Sequence, residues 1–312
     1  MTLNYQFKII CGLHRSGTTY TGNILSEHSS FQVLHEPCNP EWGIKGVEAA
    51  YPYLTSSTPE NNKTVQLLND ILNFRRQWNH QPPRQLKPLT HLLYRLSGGQ
   101  AGRTWSTLRL KNALNSLPPV ICWKDPFTTF ALEHLLSTYK AQAVCMIRHP
   151  GALWHSNRQL KWPFDIKVLL EQKQLIERYG TDIPDRHWQL ATPDSPASIA
   201  ILWKLMARLI SEQEKSQKSL ITVRHEDLCV QPTATAEDIC HHFGIHFQNK
   251  MHTYIAQTSS EDKKELAQRE AFSFERDSKQ IINLWRDHVD KTEEHMIQDI
   301  IGDDLGRFYE CW

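Results

Sequence analysis

The run Phe7-Lys8-Ile9-Ile10-Cys11-Gly12-Leu13-His14-Arg15-Ser16-Gly17-Thr18-Thr19 decides the fold. Residues 7–11 are apolar enough for a buried strand, the next segment is a glycine-bounded loop, and residues 17–28 read as a helix. Strand, loop and helix in that order point backbone N–H groups and a helix N-terminus at an anion. A Walker loop would read G-x-x-x-x-G-K-[ST], and here Thr18 stands where its lysine belongs. That lysine reaches the β- and γ-phosphates of a nucleoside triphosphate, so its absence weakens an ATP or GTP reading. Arg15, inside the loop, supplies positive charge instead.

Four further runs, residues 31–34, 120–123, 143–147 and 220–223, are short and nearly continuously apolar. Helical patterns separate them, at 126–139, 151–161, 195–210 and 233–243. Such runs suit a parallel sheet covered on both faces. The alternation predicts a doubly wound α/β fold with about five parallel strands. Residues 1–312 are read as one domain, with helical insertions at about 40–118 and 157–195 where such folds build substrate sites.

The 312 residues hold 35 Lys+Arg against 34 Asp+Glu, a formal charge of +1, which argues against a nucleic-acid partner. The apolar stretch 199–210 is broken by Lys204 and Arg208 and falls short of the roughly 18 residues a membrane span needs. No transmembrane segment is expected. Before residue 7 there is neither a basic nor an apolar leader region, so the expected location is cytoplasmic. The seven cysteines are scattered and form no C-x-x-C, which reads as reduced thiols. Oligomeric state does not follow from these features.

His14-Arg15-Ser16-Gly17-Thr18-Thr19 resembles the 5′-phosphosulfate loop of sulfotransferases that use 3′-phosphoadenosine 5′-phosphosulfate (PAPS). Those loops read P-[KR]-S-G-T-T, with His14 here in place of proline. The resemblance implies that His14, Arg15, Ser16, Gly17, Thr18 and Thr19 hold the co-substrate. Ile147-Arg148-His149-Pro150 with Ser156 eight residues after Arg148 is similar to the family's 3′-phosphate site. An Arg fork and a hydroxyl converging on one phosphate suit that role. Trp123-Lys124-Asp125-Pro126 looks like the K-D-P segment of the tyrosylprotein branch. Val223-Arg224-His225-Glu226-Asp227-Leu228 resembles the [VR]-Y-E-D-L strand end, with His225 where an aromatic residue contacts adenine and Glu226-Asp227 in structural roles. Arg276, Ser278 and Lys279, followed by Trp285, resemble the R-x-S…W segment that closes over the nucleotide.

The resemblance implies a sulfotransferase that moves a sulfuryl group to a hydroxyl or amine of a small-molecule, glycan or lipid acceptor. A sulfuryl group carries less charge than a phosphoryl dianion, so no metal is expected to be required, and no Walker-B-like aspartate is read after a strand to bind Mg²⁺. Arg15 and Lys124 are the candidates to stabilise developing charge. For the base, Val33-Leu34-His35-Glu36-Pro37 ends the second strand. Glu36 is favoured and His35 stays open, with Pro37 expected to keep Glu36 extended. His241, His242 and His246 could serve as metal ligands, but Gly244 interrupts their helix and packing and surface roles are favoured.

The stretch 71–123 contains no Asp or Glu but includes Arg75, Arg76, Arg84, Lys87, Arg95, Arg103, Arg109 and Lys111. It is read either as a solvated face or as a contact for an anionic acceptor, the nucleotide or an acidic partner. Trp42, Trp78, Trp105 and Trp162 could stack on an acceptor or belong to the core. Two other functions compete: a P-loop metabolite kinase, and a nucleotide-binding scaffold without catalysis.

Overall fold

In a computed structural model that describes residues 3–79, 104–258 and 282–312, five strands form one all-parallel sheet in the order β2-β3-β1-β4-β5. They are β1 (Gln6–Gly12), β2 (Phe31–His35), β3 (Val120–Lys124), β4 (Gln142–Ile147) and β5 (Leu220–Arg224). Every apolar run of the sequence is present, lengthened by one or two residues. Alternation along the strands serves two cores. Phe7, Ile9 and Cys11 face a cluster with Ile121, Trp123, Cys145 and the helix Pro196–Ser216. Ile10 faces the opposite cluster with Cys122, Val144, Met146 and the helices Thr18–Ser26 and Pro232–His242. Both sheet faces are therefore covered by helices, as the apolar runs require.

The chain leaves β1 for β2 and β3 on one side and later for β4 and β5 on the other. That reversal opens a crevice at the carboxyl end of β1, where α/β folds bind ligands. Register sets its floor: Lys124 pairs with Ile10 and His35, and Ile147 pairs with Arg224. At the end of β1, Gly12 has φ +120°, and a Cβ there would lie 2.0 Å from the Met146 carbonyl oxygen, so only glycine fits.

The first insertion contains the helices Lys63–Leu72 and Thr104–Ala113, and the second the short helices Lys167–Leu170, Lys173–Tyr179 and Asp185–Leu190. Their apolar residues, among them Tyr51, Leu68, Leu169 and Leu175, join the same cluster as Phe7 and Ile9. The 126–139 pattern begins as a 3₁₀ turn, Pro126–Ala131, and becomes α-helical only over Leu132–Tyr139. Asp125 forces this start by capping the Phe127 N–H while Pro126 takes the first position. All seven cysteines are unbridged. Among the described residues, no helix is long and apolar enough to cross a membrane.

Candidate active site

The loop after β1 is built on two left-handed residues, Arg15 (φ 70°) and Gly17 (φ 92°). They turn the chain into the helix Thr18–Ser26, whose first turn holds Thr18 and Thr19 and receives no side-chain cap. The Thr129 hydroxyl pins the loop's start by accepting from the Gly12 N–H at 3.0 Å. The Ser16 hydroxyl is 1% exposed and meets no partner among the described residues. A buried hydroxyl without a partner in a glycine loop at an uncapped helix start suits an incoming anionic oxygen.

On the β4 side, the structure brings three candidates together. Arg148, directly after β4, donates to the Arg15 carbonyl oxygen at 2.9 Å, and Arg15 Nε donates to Ser156 Oγ at 3.0 Å. Ser156 lies on the helix Pro150–Leu160, one surface with the loop. His225 stands against the loop too: a Cβ on Gly17 would meet its Cδ2 at 2.9 Å. Burial, then the charges of Arg148 and Arg15, keep the His225 ring neutral, well below the usual histidine range. Glu226 accepts from the His149 N–H and from the Tyr309 hydroxyl, while Asp227 forms a fork with Arg224. Both acids have the structural roles expected of them. Trp285 lies on Gly151 and stacks on the His149 ring at 4.6 Å. Arg276, Ser278 and Lys279 lie outside the described residues.

On the other side, at the ends of β3 and β2, Lys124 runs its stem over Gly22 and sets its ammonium 2.5 Å from Glu36 Oε1. Asn39 donates to the other Glu36 oxygen at 2.8 Å. Burial alone would raise the Glu36 pKa. The Lys124 charge, its hydrogen bond, His14 and Asn39 together outweigh burial and hold the carboxyl below the usual range. The His35 side chain makes no hydrogen bond among the described residues, and its pKa falls to about 4 through burial and then the Lys124 charge. At neutral pH one candidate base is charged and the other neutral.

Two expectations are corrected here, and a reading left open gains an observation. Glu36 is not extended: its φ is 51°, because its N–H is drawn to the Lys124 carbonyl oxygen and its own carbonyl accepts from Asn39. Pro37 disfavours the right-handed helical region but does not outweigh those two bonds. An acid does follow a strand in a Walker-B-like place, namely Asp125 after β3. It is fully buried and its carboxylate accepts from the Cys38 and Phe127 N–H groups. Burial, partly offset by those bonds, raises it to about 7. Finally, Arg75 and Arg76 both reach Asp70, the last acid before the acid-free stretch, so they have a structural partner of their own.

The tryptophans also separate. Trp105 is core and Trp78 packs on it, whereas Trp42 and Trp162 are 51% and 40% exposed. Trp162 lies beside His14 and under the Arg15 guanidinium. No group of three or more His, Cys, Asp or Glu able to hold a metal occurs among the described residues, and His242 bonds the Ala143 carbonyl oxygen. Asn39 is a site residue that sequence reading missed, although the turn-forming pair Asn39-Pro40 marks it.

A family model described as the sulfotransferase family matches residues 9–249. No curated protein sequence matches the chain. Among solved structures, the chain is similar to the sulfotransferase domain from the Synechococcus PCC 7002 olefin synthase, at 14% identity over 96% of this chain and 94% of that chain, TM-score 0.47. It is also similar to sulfotransferase STF9 from Mycobacterium avium, at 14% identity over 97% and 77%, TM-score 0.45. Retinol dehydratase in a complex with retinol and PAP matches at 14% identity over 98% and 82%, TM-score 0.41.

Proposed function

The chain belongs to the sulfotransferase family, and on that premise we propose that it transfers the sulfuryl group of PAPS to a hydroxyl or amine of a small-molecule, glycan or lipid acceptor. The observation that carries the donor is the convergence of Arg15, Arg148 and Ser156 beside the loop, with the buried Ser16 hydroxyl meeting no partner among the described residues. In this reading the loop N–H groups and Ser16 hold the 5′-phosphosulfate, while Arg148 and Ser156 recognise the 3′-phosphate.

Glu36 takes the acceptor proton as the new oxygen–sulfur bond forms and the bond from sulfur to the 5′-phosphate oxygen breaks. Adenosine 3′,5′-bisphosphate is the other product. Lys124 has two effects: it keeps Glu36 ionised, and it places positive charge where the leaving oxygen gains negative charge. Nothing in this arrangement calls for a cation.

The test is thermal unfolding with adenosine 3′,5′-bisphosphate or ATP·Mg²⁺, combined with sulfuryl transfer from PAPS in EDTA. A ligand at 100 times its Kd stabilises by about 2.7 kcal/mol, a rise of a few degrees in Tm. The bisphosphate should produce that rise and transfer should persist in EDTA. Stabilisation by ATP·Mg²⁺ alone would replace this reading with the kinase, and binding without transfer would leave the scaffold.

A further inference from the structure

Seven described residues other than glycine have left-handed backbone. Four of them close helices: Lys140 and Lys161 are C-caps, and Phe74 and Asn115 follow the ends of Lys63–Leu72 and Thr104–Ala113. The remaining three are Arg15, Glu36 and Tyr51. Two of these are site residues already described. Left-handed tyrosine is costly and persists only where its surroundings impose it.

Tyr51 is held from several directions. The Gln172 amide donates to the Tyr51 carbonyl oxygen at 3.0 Å, and the same side chain accepts from the Tyr53 N–H. A third bond, to the Val168 carbonyl oxygen, fixes Gln172 itself. The Tyr51 ring packs among Phe127, Phe130 and Phe164 and is 2% exposed. Its hydroxyl reaches His14 Nδ1 at 2.5 Å. Both insertions therefore converge on one residue of the phosphosulfate loop, at the position where the loop pattern has proline.

Burial pushes the Tyr51 phenol far above its ordinary value, so it keeps its proton. Burial likewise lowers His14 to about 4, against the raising influence of Glu36, with Lys124 and Arg15 adding to the fall. Two neutral groups share one hydrogen bond. Among the described residues the Tyr51 hydroxyl has no other hydrogen-bond acceptor and its ring lies among phenylalanines, so its O–H is satisfied by donating to Nδ1, which leaves the ring proton on Nε2. His14 directly precedes Arg15 in the loop after β1, its ring lies beside Trp162, and Glu36, Lys124 and Arg15 are the charged groups that act on it.

We propose that His14 Nε2–H is an uncharged hydrogen-bond donor to the transferring sulfuryl group and that Tyr51, clamped by Gln172, is the positioning residue that fixes its tautomer. This rests on the donor reading above. An uncharged donor adds polarity beside Lys124 and Arg15 without the repulsion a third cation would meet there. Proline at this position has no N–H to offer.

The experiment combines ¹⁵N-histidine NMR of the free protein with acceptor-free sulfate release from PAPS. The expected spectrum shows His14 protonated at Nε2 across pH 5.5 to 8. Tyr51→Phe should yield mixed tautomers and slow sulfate release about tenfold with the bisphosphate Kd unchanged. His14→Gln, which retains an uncharged N–H, should keep more of the rate than His14→Leu. A proton on Nδ1, a wild-type rate in Tyr51→Phe, or a loss of nucleotide affinity equal to the loss of rate would each overturn the proposal. Failure of the donor reading is separately visible, because the wild-type protein would then not bind the bisphosphate whatever the tautomer of His14.

Discussion

The two sides of the crevice answer the same problem with opposite polarity. Toward β4 and β5, Arg15 and Arg148 sit among neutral histidines, and the nearby acids Glu226 and Asp227 are tied to the His149 backbone, Tyr309 and Arg224. Toward β3 and β2, one buried lysine is paired with the Glu36 carboxylate, while the buried Asp125 carboxyl is taken up by the Cys38 and Phe127 N–H groups. A side where the acids are absorbed structurally is suited to hold anions. A side with a carboxylate kept ionised by a lysine is suited to move a proton. Catalysis then needs only that the reacting group lie between them, over the loop after β1, where His14 and Ser16 stand.

The sharpest way to break this contrast is at Glu36. Glu36→Gln keeps the shape and removes the basic oxygen, so kcat should fall by roughly 10²-fold or more while the bisphosphate Kd holds. His35→Ala should change little; the reverse pattern would move the base to His35. The pH profile adds a sign. A base acts only when ionised, and Glu36 is held below its ordinary 4.5, so the acid limb of kcat/KM should lie below pH 4.5. In Lys124→Met the burial effect remains without its counterweight, and that limb should move up.

The cationic side is tested by Arg148→Ala. Loss of a charge-assisted partner of the 3′-phosphate should weaken PAPS and the bisphosphate by about 2 to 3 kcal/mol, roughly 30- to 150-fold. Adenosine 5′-phosphosulfate, which lacks that phosphate, should lose far less. Because Arg148 also donates to the Arg15 carbonyl oxygen, equal losses for both ligands would mean that it shapes the loop rather than reading the 3′-phosphate.

The same contrast explains what could be read from the sequence. The anion side is made of contiguous pieces: a strand, a loop and a helix from residue 7 to 26, and Arg148 with Ser156 eight positions on. Local pattern carries such pieces, and all five strands were legible for the same reason. The proton side is assembled from distant segments. Lys124 meets Glu36 across 88 positions, and Tyr51 meets Gln172 across 121. Nothing in the local sequence of Tyr51 announces a left-handed backbone, since Gln172 imposes it from the second insertion. Glu36 was misjudged for a related reason, because a local proline rule gave way to a bond with β3. Asp125 was read only as part of the K-D-P segment, although an acid directly before proline also signals a helix start.

The smallest effect is expected in the basic stretch, outside both sides of the crevice. Arg76 donates to Asp70 at 2.8 Å and Arg75 stands 3.9 Å from the same carboxylate, with both arginines largely exposed. Exposed pairs of this kind are worth about 0 to 1 kcal/mol. Arg76→Glu should therefore cost at most about 1 kcal/mol of stability, an amount that shrinks as salt screens the new repulsion from Asp70. The KM of any acceptor in use should stay within about twofold, because Asp70 rather than a ligand holds the guanidinium. A steep KM rise at low salt that added salt relieves would return the stretch to the acceptor. The crevice would then have a third, cationic wall, and anionic acceptors would become the chemistry to test first.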